Sequence, residues 1–282
     1  MSRKVGKFVT NSVKTVFIDV DGTLLTDEHE LTEKNIDAVQ RAVEEGFDII
    51  LCSGRTPISL FTVAEQMKYK PNHLIGFNGG VILNGEGKEI YKKTLELEYT
   101  QEIVKYIEQH PICVGVYIET DTIVVKNAPK ELRSIMDKNI KRIEVEDNVS
   151  EKIDRPAMKI MAVGEPEHLK VIHDYYINKI NDRFVMVYTQ ESILEFIPRG
   201  VNKGAAVEWL CETTGISLED TAAMGDNYND LEMIQKCFFT IVPKNAVDAL
   251  KEIATAVQQV DNNQSAVAKV LDYLVENQFS FL

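Results

Sequence analysis

Long apolar runs are missing from this chain: no stretch approaches the roughly 20 residues that a membrane-spanning helix requires. Residues 1–13 carry Arg3, Lys4 and Lys7 without the apolar segment that follows the basic start of a secretion signal, so they read as a tail. Basic charge is also scarce. The 31 Lys and Arg residues stand against 44 Asp and Glu, a formal net charge of -13. Nucleic acid and anionic membrane are therefore not expected partners, because both need a basic footprint. Any phosphate bound here must be met by local groups. The four cysteines (Cys52, Cys113, Cys211 and Cys237) lie far apart with no C-x-x-C pair, as buried free thiols in a reducing compartment would. The expected location is the cytoplasm. Five scattered histidines give no zinc-ligand spacing. Neither an internal repeat nor a low-complexity segment is present.

What is present begins with Thr15-Val16-Phe17-Ile18, a β-branched and aromatic run suited to a buried strand. It ends in two carboxylates, Asp19 and Asp21, followed by Gly22 and Thr23. An Asp-Gly turn with an incidental second Asp is the plain reading. Carboxylates stranded at the end of an apolar strand otherwise hold a metal or do chemistry. Thr32 then caps a helix carrying Ile36, Val39 and Val43, which Gly46 stops. Residues 47–52 form a second buried strand, Thr56-Pro57 opens a helix, and residues 74–77 form a third strand. This alternation is the grammar of a parallel sheet with helical crossovers. It resumes near the C-terminus with a helix over 202–214 closed by Gly215, a strand at 221–224, a helix at 230–236 and a strand at 238–242. Helices from about 246 and over 265–276 finish it, with Trp209 and the methionines assigned to the core.

The middle of the chain follows another pattern. Residues 114–118 and 122–126 alternate as a hairpin. Helical segments near 101–109, 129–138 and 166–180 are interleaved with strands at 158–163, 184–189 and 193–197. The charged run 144–151 reads as a solvated loop. The expected architecture is α/β: a Rossmann-like doubly wound parallel sheet from residues 1–84 and 196–282, interrupted by an α+β domain at 85–195.

Four polar clusters fall where a strand ends or a helix begins: Asp19-Val20-Asp21-Gly22-Thr23, Ser53-Gly54-Arg55, Asn202-Lys203-Gly204 and the run Gly225 to Asp230. Ligands of open parallel sheets sit outside the carboxyl ends of the strands, so these clusters are predicted to converge on one crevice. Taken singly, Ser53-Gly54 is also compatible with a turn and Lys203 with a solvated helix start. A cation at the positive end of a helix nevertheless calls for an anion beside it. The Asp226-Asn227-Tyr228-Asn229-Asp230 run resembles a cation site.

In this order, D-V-D-G-T, C-S-G-R, V-N-K-G and G-D-N-Y-N-D resemble the motifs of the haloacid dehalogenase superfamily over about residues 14–275. The inserted domain is similar to the type II cap of its Cof-like phosphatases. That resemblance implies Asp19 as the nucleophile forming an aspartyl-phosphate, with Asp21 as the acid and then the base. It implies Mg²⁺ held by Asp19, the Asp21 carbonyl and Asp226, with Asn227 and Asp230 as further candidates for the metal or its waters. Ser53, the Gly54 and Val20 amides, Lys203 and Asn229 are implied to grip the phosphoryl group. Arg55 and Asn78 are candidates for the organic part of the substrate, a small phosphomonoester such as a sugar phosphate or phosphorylated cofactor. For Asn78-Gly79-Gly80 a tight turn is the competing reading.

Two segments depart from the family pattern: V-P-K-N-A at 242–246 and S-A-V-A at 265–268. Pro243 lacks a backbone donor, which bears on the loop beside the site. A phosphomutase on the same scaffold is the enzymatic alternative, and a non-catalytic metabolite-binding protein the other. Retention of Asp19, Asp21, Lys203 and Asp226 argues against the latter. The sequence leaves the oligomeric state open.

Overall fold

The computed structural model describes residues 13–126, 128, 140–179 and 183–278. Its strands are β1 (Thr15–Ile18), β2 (Asp48–Cys52), β3 (His73–Gly76), β4 (Val81–Asn84), β5 (Glu89–Lys92), β6 (Cys113–Glu119), β7 (Thr122–Val125), β8 (Lys141–Glu144), β9 (Lys159–Val163), β10 (Phe184–Gln190), β11 (Ile193–Pro198), β12 (Thr221–Met224), β13 (Phe239–Val242) and β14 (Ala256–Val257). They form an eight-stranded sheet in the order β14-β13-β12-β1-β2-β3-β4-β5 and a six-stranded sheet in the order β10-β11-β9-β6-β7-β8.

In the larger sheet β14 through β3 run parallel, and β4 and β5 add an antiparallel edge. Alternation along each strand loads both faces. Val16, Ile18, Ile49 and Leu51 pack with the helices Glu33–Glu44, Pro57–Gln66 and Ala266–Gln278. Phe17, Ile50 and Cys52 pack on the opposite side with Lys203–Thr214, Leu231–Lys236 and Asp248–Ile253. Helices on both faces make this the expected doubly wound α/β layer. The chain advances from β1 to β3 in one direction and from β12 to β14 in the other, so the order reverses between β1 and β12. Local signals set the helix ends. Thr32, Thr56 and Asn202 each accept a hydrogen bond from the amide three residues on. Gly215 closes its helix at φ 78°.

The smaller sheet packs one face under the helices Leu97–Ile107 and Pro166–Ile177, around Phe184, Phe196 and Tyr176. Its other face meets Val81 and Leu83 of β4 and Phe77 of the turn that follows β3.

The structure departs from the sequence reading in several places, among them the strands β4, β5 and β14, which that reading did not name. β5 lies beyond the boundary expected at residue 85 yet pairs with β4, so that boundary would cut a hairpin of the larger sheet. The strand β8 has no counterpart in the sequence reading, since all four of its residues are exposed and no apolar alternation marks it. The segment 144–151 is not a wholly solvated loop, because Val149 is buried and begins a short helical turn. Glu108 anchors that turn, accepting from the Val149 amide and, at 2.6 Å, from the Ser150 hydroxyl. The helix expected over 129–138 falls outside the described residues. All four cysteines are free, with Cys52, Cys211 and Cys237 buried. Among the described residues no helix is long and apolar enough to cross a membrane.

Candidate active site

The crevice is built where β1 and β12 end side by side. Pairing of Ile18 with Met224 sets the register, and the Asp19 amide then donates to the Met224 carbonyl at 2.9 Å. Asp19 is thereby fixed at the sheet's carboxyl edge, only 4% exposed. Val20 buries its side chain in the core, and a tight turn runs to Leu24 through Gly22 at φ 79°. Glycine is required at this position for a second reason: a Cβ there would stand 2.4 Å from an Asp226 oxygen. The Thr23 hydroxyl donates to Asp226 at 2.9 Å. Gly225 makes similar room in the loop after β12, since a Cβ there would meet the Asp230 carboxyl carbon at 2.4 Å.

Lys203 opens its helix and is fully buried. Its ammonium donates to Asp19 and to Asp230, each at 2.5 Å. The second oxygen of Asp230 accepts from the Asp226 and Asn227 amides at 2.9 and 3.1 Å. Asp230 is thus a buttress with both oxygens engaged, whereas Asn227 caps its own turn by accepting from the Tyr228 amide.

Asp19, Asp226 and Asp230 can each bring one oxygen within 4.8 Å of the others. Three carboxylates therefore crowd together, and Lys203 pairs with only two of them, Asp19 and Asp230. Burial raises Asp19 well above its ordinary range, and the Asp230 charge adds to this against the pull of Lys203. Burial likewise pushes Asp226 up to about 6, opposed by the Thr23 hydrogen bond and reinforced by Asp230. Burial works against the Lys203 cation, but Asp19 and Asp230 outweigh it and hold its pKa above the usual value. Hard oxygen donors with an excess of negative charge fit a divalent cation such as Mg²⁺.

Ser53 is buried beyond β2, and its hydroxyl accepts from the Arg55 amide at 3.2 Å. Asn78, in the left-handed region at φ 55°, donates its amide to the Ser53 carbonyl and accepts from the Asn229 side chain at 3.0 Å. Its side chain also packs against Gly54. Asn78 is therefore more than a turn residue: it ties the Ser53 segment to the Asp226–Asp230 loop.

Arg55 grips Asp21 with two hydrogen bonds of 2.8 and 2.6 Å, and His29 lies 3.3 Å from the same carboxylate. Partial burial pushes Asp21 upward, but the Arg55 hydrogen bonds and charge, with His29, leave it below the usual carboxylate range. Arg55, expected to face the substrate, is here the partner of Asp21. His29 had no signal in the sequence beyond being one of five histidines.

Sequence reasoning also missed Asn245, which lies inside the departing V-P-K-N-A segment. Its side chain donates to the Gly22 carbonyl at 2.8 Å, and the Val247 amide donates to the Asp226 carbonyl at 2.8 Å. Pro243 does not disturb this turn, since its carbonyl accepts from the Ala246 amide. In S-A-V-A, Ser265 takes φ 61° and its hydroxyl meets that of Thr32 at 2.8 Å.

Known proteins share this construction. A family profile described as haloacid dehalogenase-like hydrolase matches residues 16–271. The chain is 25% identical to the 5-amino-6-(5-phospho-D-ribitylamino)uracil phosphatase YwtE of Bacillus subtilis, covering 95% of this chain and all of that one. It is 26% identical to TM0651 of Thermotoga maritima, whose crystal structure superposes with a TM-score of 0.84 over 93% of this chain and 97% of that one. The subclass IIB sugar phosphatase BT4131 shares the fold at a TM-score of 0.75 and 19% identity, over 93% of this chain and 98% of that one. The chain belongs to the haloacid dehalogenase-like hydrolases, as a phosphatase of their Cof-like branch.

Proposed function

We propose that this phosphatase hydrolyses a small phosphomonoester through an aspartyl-phosphate on Asp19, with Mg²⁺ as cofactor. One observation carries the reading: the buried Asp19 carboxylate lies at the switch point, hydrogen-bonded to Lys203 and within reach of Asp226. The names of the ribitylaminouracil phosphatase and the sugar phosphatase support a small phosphorylated substrate.

An Asp19 oxygen attacks phosphorus, and the bond from phosphorus to the ester oxygen breaks. Asp21 gives its proton to the departing oxygen, then takes one from the water that attacks the acyl phosphate. Inorganic phosphate leaves and the Asp19 carboxylate is restored. Asp21 can carry that proton only once it is freed from Arg55, and an incoming phosphoryl dianion competes for the same guanidinium. Substrate arrival thus moves Arg55 to the phosphate and lifts the Asp21 pKa toward one suited to an acid. Ser53, the Gly54 and Val20 amides and Asn229 supply donors to the phosphoryl oxygens, and Lys203 offsets the Asp19 charge. Asp19, the Asp21 carbonyl and Asp226 would hold Mg²⁺, with Asp230 and Asn227 shaping the loop behind them. The ion would offset the repulsion between a carboxylate and a phosphate dianion.

The test is phosphate release from a panel of sugar, polyol and cofactor monophosphates with Mg²⁺. Wild-type turnover should vanish in Asp19→Asn and after EDTA treatment. Turnover that survives the substitution would refute Asp19 as nucleophile, and robust hydrolysis after chelation would refute the metal.

A further inference from the structure

Phe77 holds a backbone conformation that its own side chain disfavours. It takes φ 51° and Asn78 follows at φ 55°, both in the left-handed region, before Gly79 at φ 97°. Asparagine tolerates that region and glycine is indifferent to it, but a bulky side chain there is an outlier. Two successive non-glycine residues are rarer still, since the left-handed region is ordinarily visited singly. Such strain persists only where the surroundings enforce it.

The enforcement comes from the smaller sheet. The Phe77 ring is buried with Tyr117, Met161 and Val163, its centre 5.2 Å from that of the Tyr117 ring. The Lys159 ammonium, paired with Glu195 at 2.8 Å, lies 5.5 Å from the same centre. The backbone of the turn faces the other way, toward the site. The Phe77 amide donates to the Arg55 carbonyl and the Asn78 amide to the Ser53 carbonyl, each at 2.9 Å, so the two bonds bracket Gly54. The Asn78 side chain lies 3.1 Å from where a Gly54 Cβ would stand, and it accepts from Asn229 at 3.0 Å. Gly79 sits so close to the residue before Lys203 that a Cβ there would clash with the Asn202 carbonyl. One three-residue turn thus touches the segments that carry Ser53, Gly54, Lys203 and Asn229.

We infer that Phe77 is a positioning residue for the phosphoryl cradle. Its ring, anchored on the smaller sheet, keeps the 77–79 turn left-handed, and the turn in turn fixes the Gly54 and Asn229 donors. This rests on the phosphatase reading above. A replacement that keeps a Cβ but loses the ring has no anchor to offset the left-handed cost. The peptide between residues 77 and 78 then relaxes and releases the Ser53 and Arg55 carbonyls. Glycine meets no such cost, so it holds the turn without an anchor.

The experiment compares Phe77→Ala and Phe77→Gly with wild type in the presence of Mg²⁺. Hydrolysis of p-nitrophenyl phosphate gives kcat, and competitive inhibition by inorganic phosphate reads the cradle without any leaving group. Phe77→Leu takes the place of the alanine variant if that one does not fold, since it too keeps a Cβ and loses the ring. The alanine variant should lose at least about tenfold in kcat and bind inorganic phosphate about tenfold more weakly. The glycine variant should recover at least about threefold of each loss. Glycine removes more packing than alanine, so a role confined to filling space predicts that it does no better, and that result overturns the proposal. Phosphate inhibition at wild-type strength in the alanine variant also overturns it. Wild type inactive on this ester and on the panel above would end the phosphatase reading as well, whereas full activity of the alanine variant ends only the role of Phe77.

Discussion

Buried charge is organised differently at the switch point and on the inner face of the smaller sheet. At the switch point Asp19 follows β1, Asp226 and Asp230 follow β12, and Lys203 opens a helix. The arrangement gathers three carboxylates, of which Lys203 pairs with two. On the smaller sheet Lys159 begins β9 and Glu195 lies within β11, a balanced pair among apolar neighbours. The first cluster is electrostatically incomplete and calls for a cation; the second is already neutral. Removing charge should therefore have opposite consequences in the two places.

The sharpest test is Lys203→Met, which leaves Asp19 and Asp230 buried without their counter-charge. A loss of about 3–5 kcal/mol in urea unfolding at pH 7 is expected, together with loss of phosphate release. Next comes Gly22→Ala, which adds a Cβ at a positive φ and within 2.4 Å of Asp226. It should cost about 1–3 kcal/mol and reduce the rise in melting temperature that Mg²⁺ produces. Asn245→Ala removes the donor to the Gly22 carbonyl and should cost about 1 kcal/mol. The smallest effect belongs to Lys159→Met/Glu195→Leu, expected within about 1 kcal/mol of wild type or more stable. A loss there comparable to that of Lys203→Met would break the contrast.

A pH series sharpens it further. Asp226 titrates near 6 in the folded, metal-free protein but near 3.9 in an unfolded chain. The folded state therefore binds a proton more tightly at this position, a contribution that is lost as pH rises through 6. Subtracting the Asp226→Asn melting profile from that of wild type should expose this loss between pH 4 and 6, and saturating Mg²⁺ above pH 6 should offset it. A flat difference profile would contradict the carboxylate crowding described at the switch point.

The same contrast decides what could be read from sequence. Asp19, Lys203 and Asp226 were legible because each interrupts an apolar pattern at the end of an element, where parallel sheets place ligands. Lys159 and Glu195 occupy alternate positions of strands, where a charge ordinarily marks the solvent side. Only the docking of a second layer turns that side inward. The clamp of Arg55 on Asp21 joins residues 34 positions apart, and the bond from Asn245 to Gly22 spans 223, so no spacing announces either. β8 escaped notice because its Lys-Arg-Ile-Glu sequence serves an edge rather than a core.

The contact between Lys203 and Asp19 closes a loop of 184 residues. Contacts so remote in sequence form late, after the entropic cost of bringing distant segments together has been met. On the ribosome β1 through β5 must wait, with the edge of β1 that β12 will cover still open, until the intervening strands have emerged. Hydrolytic competence should thus arise in a single late step of biosynthesis, giving a nascent chain no partially active stage.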